Sequence, residues 1–182
     1  MQKYSQQLYF LAVIPPQPIY DEVWNIKKNI EEDYQSKASL NSPPHITLHM
    51  PFKWREDRED KLISTLEKVS VEPFQIELKD FKAFVPRVIY IDLVQNEDLR
   101  NLWNAIVVSM SSLNILNADY KNRGFTPHMT VAFRDLRKEM FKKAWEIFKN
   151  TSFSASWEVN SFSLLKHNGK IWEVFKSFPL TR

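Results

Sequence analysis

The chain has no cysteine. Disulfides, thiolate nucleophiles and zinc–sulfur sites are therefore excluded. It has two glycines, Gly124 and Gly169. A phosphate-cradling loop of the GxxxxGK[ST] or GxGxxG kind needs closely spaced glycines, so side chains must do most of the holding of any phosphate. No apolar run approaches the roughly 20 residues of a membrane span. The N-terminal apolar stretch, Leu8 to Ile14, is short and lacks the small-residue cleavage site of a signal peptide. A soluble, cytoplasmic protein without a membrane partner is expected. There is also little excess of charge. Against 22 acidic residues stand 25 Lys and Arg, a net +3. That mild basicity favours anionic ligands but lacks the dense footprint of a duplex-DNA binder.

What is present suits one globular unit. The 182 residues are 43% hydrophobic and 26% charged, enough to bury a core. Leu8–Ile14, bounded by Pro15-Pro16, reads as a buried strand. Ile19, Val23, Ile26 and Ile30 form a helical stripe over 18–33, with Pro18 suited to the first turn. His45–Met50 reads as a strand, and 56–69 as a helix with an acidic first turn. Phe74, Ile76 and Leu78 alternate as in a strand, and Val88–Val94 is another. Residues 98–113 form the clearest helix, with Asn96 as its cap. A strand over 128–133 and a helix containing Met140, Phe141, Ala144, Trp145 and Phe148 follow, with Asp135 the expected cap of that helix. The tail is β: 153–167 and 170–178 flank Asn168-Gly169, a type I′ hairpin signal. One α/β pattern is used twice. No Gly- or Ser-rich linker separates the halves, so residues 1–182 are expected to form a single bilobal domain.

The most informative feature is an internal repeat. Pro44-His45-Ile46-Thr47-Leu48 recurs as Pro127-His128-Met129-Thr130-Val131. Both copies read Pro-His-apolar-Thr-apolar and both open a short strand. Side chains alternate faces along a strand, so the His and Thr of each copy point the same way while the apolar residues anchor the strand from behind. Two such strands facing each other would surround one cleft with two imidazoles and two hydroxyls. That set suits phosphodiester chemistry. One histidine takes a proton from the attacking oxygen and the other gives one to the leaving oxygen. The threonines donate to the non-bridging oxygens. Neither a metal nor a cofactor is required.

With these residues the chain resembles the 2H phosphoesterase superfamily, and within it the 2′-5′ RNA ligase and cyclic phosphodiesterase branch. The resemblance runs from the strand at Leu8 to the helix after Phe133, and includes Pro86-Arg87-Val88-Ile89-Tyr90 as a mid-chain strand. It implies an α/β (α+β) fold of two pseudo-symmetric lobes, with antiparallel-rich sheets lining a central cleft and helices outside. It implies action on 2′,3′-cyclic phosphates or 2′-5′ linkages, with a small nucleotide or RNA end as partner and a monomer as the working unit. Carried over by motif, His45 and His128 are catalytic, and Thr47 and Thr130 bind phosphate. In the family the first histidine is often cast as the acid in ring opening. Members commonly carry arginine five residues after the second histidine. Here that place is Phe133, and Arg134 follows, on the face of His128 if the strand continues. A non-catalytic nucleotide- or RNA-end-binding module with the same cleft is the alternative function.

Other residues are weaker candidates. Phe52 and Tyr90 are placed with the substrate-binding set, and Phe10, Phe125 and Phe133 lie near the same elements, where an aromatic can stack on a base. Aromatics make up 14% of the chain, so core packing accounts for most of them. His49 shares a face with His45 by alternation, but no acidic or cysteine ligand completes a metal site, so a cleft-lining or structural role is expected. His167 reads as an exposed hairpin residue. Lys53, Arg55, Lys121 and Arg123 flank the motifs as loop charges able to attract an RNA backbone.

Overall fold

The structure is a computed structural model, and it describes residues 5–116 and 124–181. Lys121 and Arg123 lie outside the described residues. Along the chain run β1 (Gln6–Val13), α1 (Ile19–Tyr34), β2 (Ile46–Arg55), α2 (Glu59–Leu66), β3 (Phe74–Phe84) and β4 (Val88–Leu93). They are followed by α3 (Glu97–Ser111), β5 (His128–Ala132), α4 (Lys138–Phe148), β6 (Ser154–Val159), β7 (Ser161–His167) and β8 (Trp172–Pro179). A 3-10 turn, Ala38–Asn41, leads from α1 toward β2.

The strands form an 8-stranded sheet in the order β6-β3-β4-β5-β2-β1-β7-β8. All neighbours run antiparallel. Four strands lie on each side of the β5–β2 junction, and the lobes interlock because the last two strands return to the first. The junction is the Ile46↔Met129 pair. These are the central apolar residues of the two repeated motifs.

Every helix buries its apolar stripe against the same face. Ile19, Val23 and Ile30 from α1, Leu62 and Leu66 from α2, Leu99, Leu102, Ile106 and Met110 from α3, and Phe141 and Ala144 from α4 share one core with Tyr9, Leu11, Val13, Ile46, Leu48, Met129 and Val131 of the sheet. Asn96 caps α3 as expected, accepting from the Leu99 amide at 2.8 Å.

Four local expectations change. Asp135 does not cap α4. Its carboxylate reaches across to the other lobe, accepting from Ser36 Oγ at 2.7 Å and the amides of Lys37 and Ala38 at 2.9 and 3.0 Å. In α1 the buried positions are Ile19, Val23, Lys27 and Ile30, while Ile26 is only partly buried. The stretch 153–167 is two strands on opposite lobes, not one, because β6 pairs β3 and β7 pairs β1. The last hairpin closes through four residues rather than two: His167 pairs Trp172, and Asn168 Oδ1 accepts from the amides of Lys170 and Ile171. The left-handed residue there is Gly169, with φ +97.

Candidate active site

The face of the sheet opposite the helices carries the repeated motifs. Ile46 and Met129 are fully buried in the core. Alternation therefore turns His45, Thr47, His128 and Thr130 the other way, where all four are half-buried. The register set by Ile46↔Met129 brings Thr47 level with His128 and His45 level with Thr130. Each imidazole thus stands beside the hydroxyl of the other motif. The two imidazoles are diagonal partners, a relation that spans about 7–8 Å between strands, which leaves room for one phosphate.

The two histidines are held identically. His45 donates from Nδ1 to the Pro43 carbonyl at 2.7 Å, and His128 donates from Nδ1 to the Thr126 carbonyl at 2.8 Å. In both, the acceptor is two residues upstream. A carbonyl can only accept, so Nδ1 carries the hydrogen, and Nε2 is left to exchange protons. Aromatic rings fix each imidazole from the side. Phe10 lies 4.9 Å from His45. Tyr90 and Phe84 each lie 5.1 Å from His128. Trp172 extends the wall on the first lobe, 4.8 Å from Phe10 and 4.9 Å from His167.

The electrostatics of the two sites differ. Desolvation is the main cause that pushes both imidazoles below their ordinary pKa. His45 falls to about 3, helped by the Lys27 ammonium and by His128 itself. His128 falls too, but the bond to Thr126 and the carboxylate of Asp92 oppose the fall. Asp92 is registered directly opposite His128 on β4 and is paired with Lys82 at 2.7 Å.

The structure brings His45, Thr47, His128, Thr130 and Tyr90 to this face, Tyr90 standing opposite Thr130. It does not bring Phe52. Strand β2 runs on through Pro51 with register shifts between Tyr9 and Leu11 and between Leu11 and Ala12. Phe52 shares the face of Ile46 and Leu48, since the two one-residue shifts together restore the alternation, and packs on Tyr9, 6.0 Å away, inside the main core. The same shifts move His49 opposite Leu11, a core residue, rather than beside His45. Its ring is 2% exposed and donates to the Met50 carbonyl at 2.8 Å. Phe125 also packs inward, stacked on Trp103 at 4.9 Å. Arg134 lies beyond the strand, which ends at Ala132, and its φ is 61. Alternation no longer governs it there. It lines a shallow basic hollow with Arg87, Arg137 and Lys138. Among the described residues no three His, Asp or Glu side chains converge as metal ligands do.

Sequence reasoning missed Lys27, Trp172, Phe84 and Asp92. For Lys27 a signal existed: positions 19, 23, 27 and 30 fit the helical stripe as well as 19, 23, 26 and 30 do.

Known proteins place this arrangement. The model of the 2′-5′ RNA ligase superfamily matches residues 15–171. The chain belongs to that superfamily. Among curated relatives, a protein of Oceanobacillus iheyensis provisionally named a phosphoesterase is 26% identical, over 96% of this chain and 98% of its own. One of Geobacillus sp. (strain WCH70), named in the same way, is 29% identical over 93% and 94%. Among solved structures, E. coli LigT bound to 3′-AMP superposes with a TM-score of 0.74 at 21% identity, covering 98% of this chain and 100% of that one. A Thermus thermophilus protein, TT0787, gives 0.62 at 20%, covering 96% and 97%. The fold is that of LigT. No described helix is long and apolar enough to cross a membrane.

Proposed function

We propose that this superfamily member is a metal-independent phosphodiesterase that opens 2′,3′-cyclic nucleotide or RNA-end phosphates with His45 and His128 as its acid–base pair. The observation that carries the reading is the matched tautomer of the two imidazoles. Each has Nδ1 committed to a carbonyl two residues upstream, so each offers Nε2 beside the other motif's threonine. In ring opening, water attacks phosphorus as one Nε2 takes its proton, and the leaving ribose oxygen takes a proton from the other. Thr47 and Thr130 donate to the non-bridging oxygens, where charge grows in the transition state. With a 5′-hydroxyl in place of water the same step makes a 2′-5′ linkage: the P–O5′ bond forms as the P–O3′ bond breaks, and the 3′-oxygen takes the donated proton. Phe84, 42% exposed, and the half-buried Trp172 offer faces on which a base can stack, with Tyr90 and Phe10 packed behind them. Arg134, with Arg87, offers positive charge to an RNA phosphate beyond the end of β5. A single bilobal domain acting as a monomer on a nucleotide or RNA end, in the cytoplasm, completes the reading. LigT, which shares the fold, has been crystallised with 3′-AMP and with ATP.

The test is turnover across 2′,3′-cyclic mononucleotides, ADP-ribose 1″,2″-cyclic phosphate and 2′-5′ dinucleotides, with EDTA present throughout. At least one substrate should be cleaved at a rate EDTA does not change. Tight nucleotide binding with no turnover on any of them would replace the enzyme by a binding module.

A further inference from the structure

Lys27 is the most deeply buried charged residue among those described, 1% exposed on the core face of α1. Lysine is almost never buried in this way without a carboxylate partner. Among the described residues no carboxylate meets it. Its Nζ instead donates to two backbone carbonyls, Ser39 at 3.0 Å and Ser42 at 3.1 Å, and lies 5.8 Å over the Trp24 ring. Those carbonyls bracket the end of the 3-10 turn that delivers the chain to the first motif. One residue beyond Ser42 stands Pro43, the carbonyl that holds His45 Nδ1. One ammonium therefore ties helix α1 to the backbone that sets the tautomer and direction of His45. Among the described residues nothing comparable is seen at His128, which faces Asp92 instead.

We propose that Lys27 is the positioning residue for His45, its ammonium pinning the turn at Ser39 and Ser42 so that His45 presents Nε2 as the proton acceptor of the pair, the reverse of the order that the family resemblance implies; the inference rests on the two-histidine reading above. The buried charge also opposes a second positive charge on His45. The Asp92 carboxylate favours a positive charge on His128. The pair is thus sorted before substrate arrives: His45 neutral and accepting, His128 the readier donor. When a cyclic phosphate binds, its negative charge eases proton uptake by His45. Water loses its proton to His45 Nε2 as the new P–O bond forms, and the breaking P–O bond leaves a ribose oxygen that takes the His128 Nε2 proton. Solvent exchange restores both rings.

The other charged groups on the surrounding elements have identifiable engagements or positions. Asp135, after β5, accepts from Ser36, Lys37 and Ala38. Asp92 is paired with Lys82. Lys37, on the turn itself, and Glu173, on β8, are exposed. Tyr20, on α1, has its hydroxyl pushed up by burial and so stays neutral.

The experiment is an NMR titration of ring-labelled histidine, with kcat/KM against pH, in wild type, Lys27→Met and Lys27→Gln. Methionine keeps the packed stem without the charge, and glutamine keeps a donor without the charge. In Lys27→Met the His45 signal should titrate at higher pH than in wild type, while His128 stays put. The acidic limb of the rate profile should move up with it, and kcat should fall by roughly 10- to 100-fold through misplacement of the acceptor. Glutamine should restore part of kcat but not the wild-type His45 titration. An unmoved His45 with unchanged kcat overturns the proposal. A rise in kcat overturns it as well, because His45 would then need no ammonium at the turn to hold it in place. If neither variant folds, the wild-type protein still decides. The Lys27 ε-carbon signal should titrate well below ordinary lysines, and the His45 ring should shift in the same step; independent titrations refute the link. A wild type that turns over no phosphodiester defeats the functional reading, but the titrations still report on Lys27.

Discussion

At the residue scale the two motifs are pairs of like parts in unlike surroundings. Replacing His45 or His128 by alanine should each cost about 100-fold or more in kcat, measured on whichever cyclic phosphate the wild type accepts. Full activity of either variant rejects the mechanism. The surroundings then sort the pair. Asp92→Asn removes the carboxylate that favours protonated His128, so its titration should move to lower pH. The alkaline limb of the rate profile should move down with it while the acidic limb holds. A profile unchanged on both sides would show that Lys82 already cancels Asp92. The two repeated motifs were legible in the sequence because strand alternation and a recurring five-residue pattern carry their own geometry. Phe52 was placed with the substrate set for its nearness to the first motif, although alternation from His45 already puts it on the core face of Ile46 and Leu48. His49 was turned to the core by a register shift on either side of it, which composition does not show.

At the element scale, a loop of one lobe is tied to the other through Asp135. Asp135 was read as a local cap because Asp before an apolar stripe usually is one. The structure uses it as a clamp between the α1–β2 loop and the β5–α4 loop. Asp135→Ala removes three hydrogen bonds at an exposed site and should destabilise by about 1–2 kcal/mol in urea unfolding. It should also loosen the Ser36–Ala38 backbone, seen as faster amide exchange at Lys37 and Ala38. Asn96→Ala should cost about 1 kcal/mol by loss of the α3 cap, without touching turnover. A large effect of Asn96→Ala on kcat, with little on stability, would mean that α3 bears on the site in a way its packing does not show. The helices and strands themselves were readable from periodicity. The division of 153–167 at Asn160 was not, since both halves alternate well and only long-range pairing separates them.

At the scale of the whole molecule, the lobes meet in the sheet at Ile46↔Met129, the centre of both motifs. The repeated pattern therefore marks the seam of the fold as well as the site. Burying Lys27 has a global signature. Its folded pKa is lowered from 10.5 to about 7, so between those values the unfolded chain binds more protons than the folded one. Stability then rises with pH across that window. Lys27→Met should lack that rise, and the two unfolding curves should converge toward the upper end. Parallel curves from pH 7 to 10 would show that Lys27 keeps its ordinary proton affinity in the folded protein. Everything functional depends on one anion reaching both imidazoles together. The direct measurement is a titration of the protein with a nucleoside 3′-monophosphate, following the ring nitrogens of His45 and His128 by NMR. Both Nε2 signals should move along one binding curve with a single Kd, and their Nδ1 signals should move little. Movement of only one ring, or of the two rings with separate affinities, would contradict a shared phosphate site.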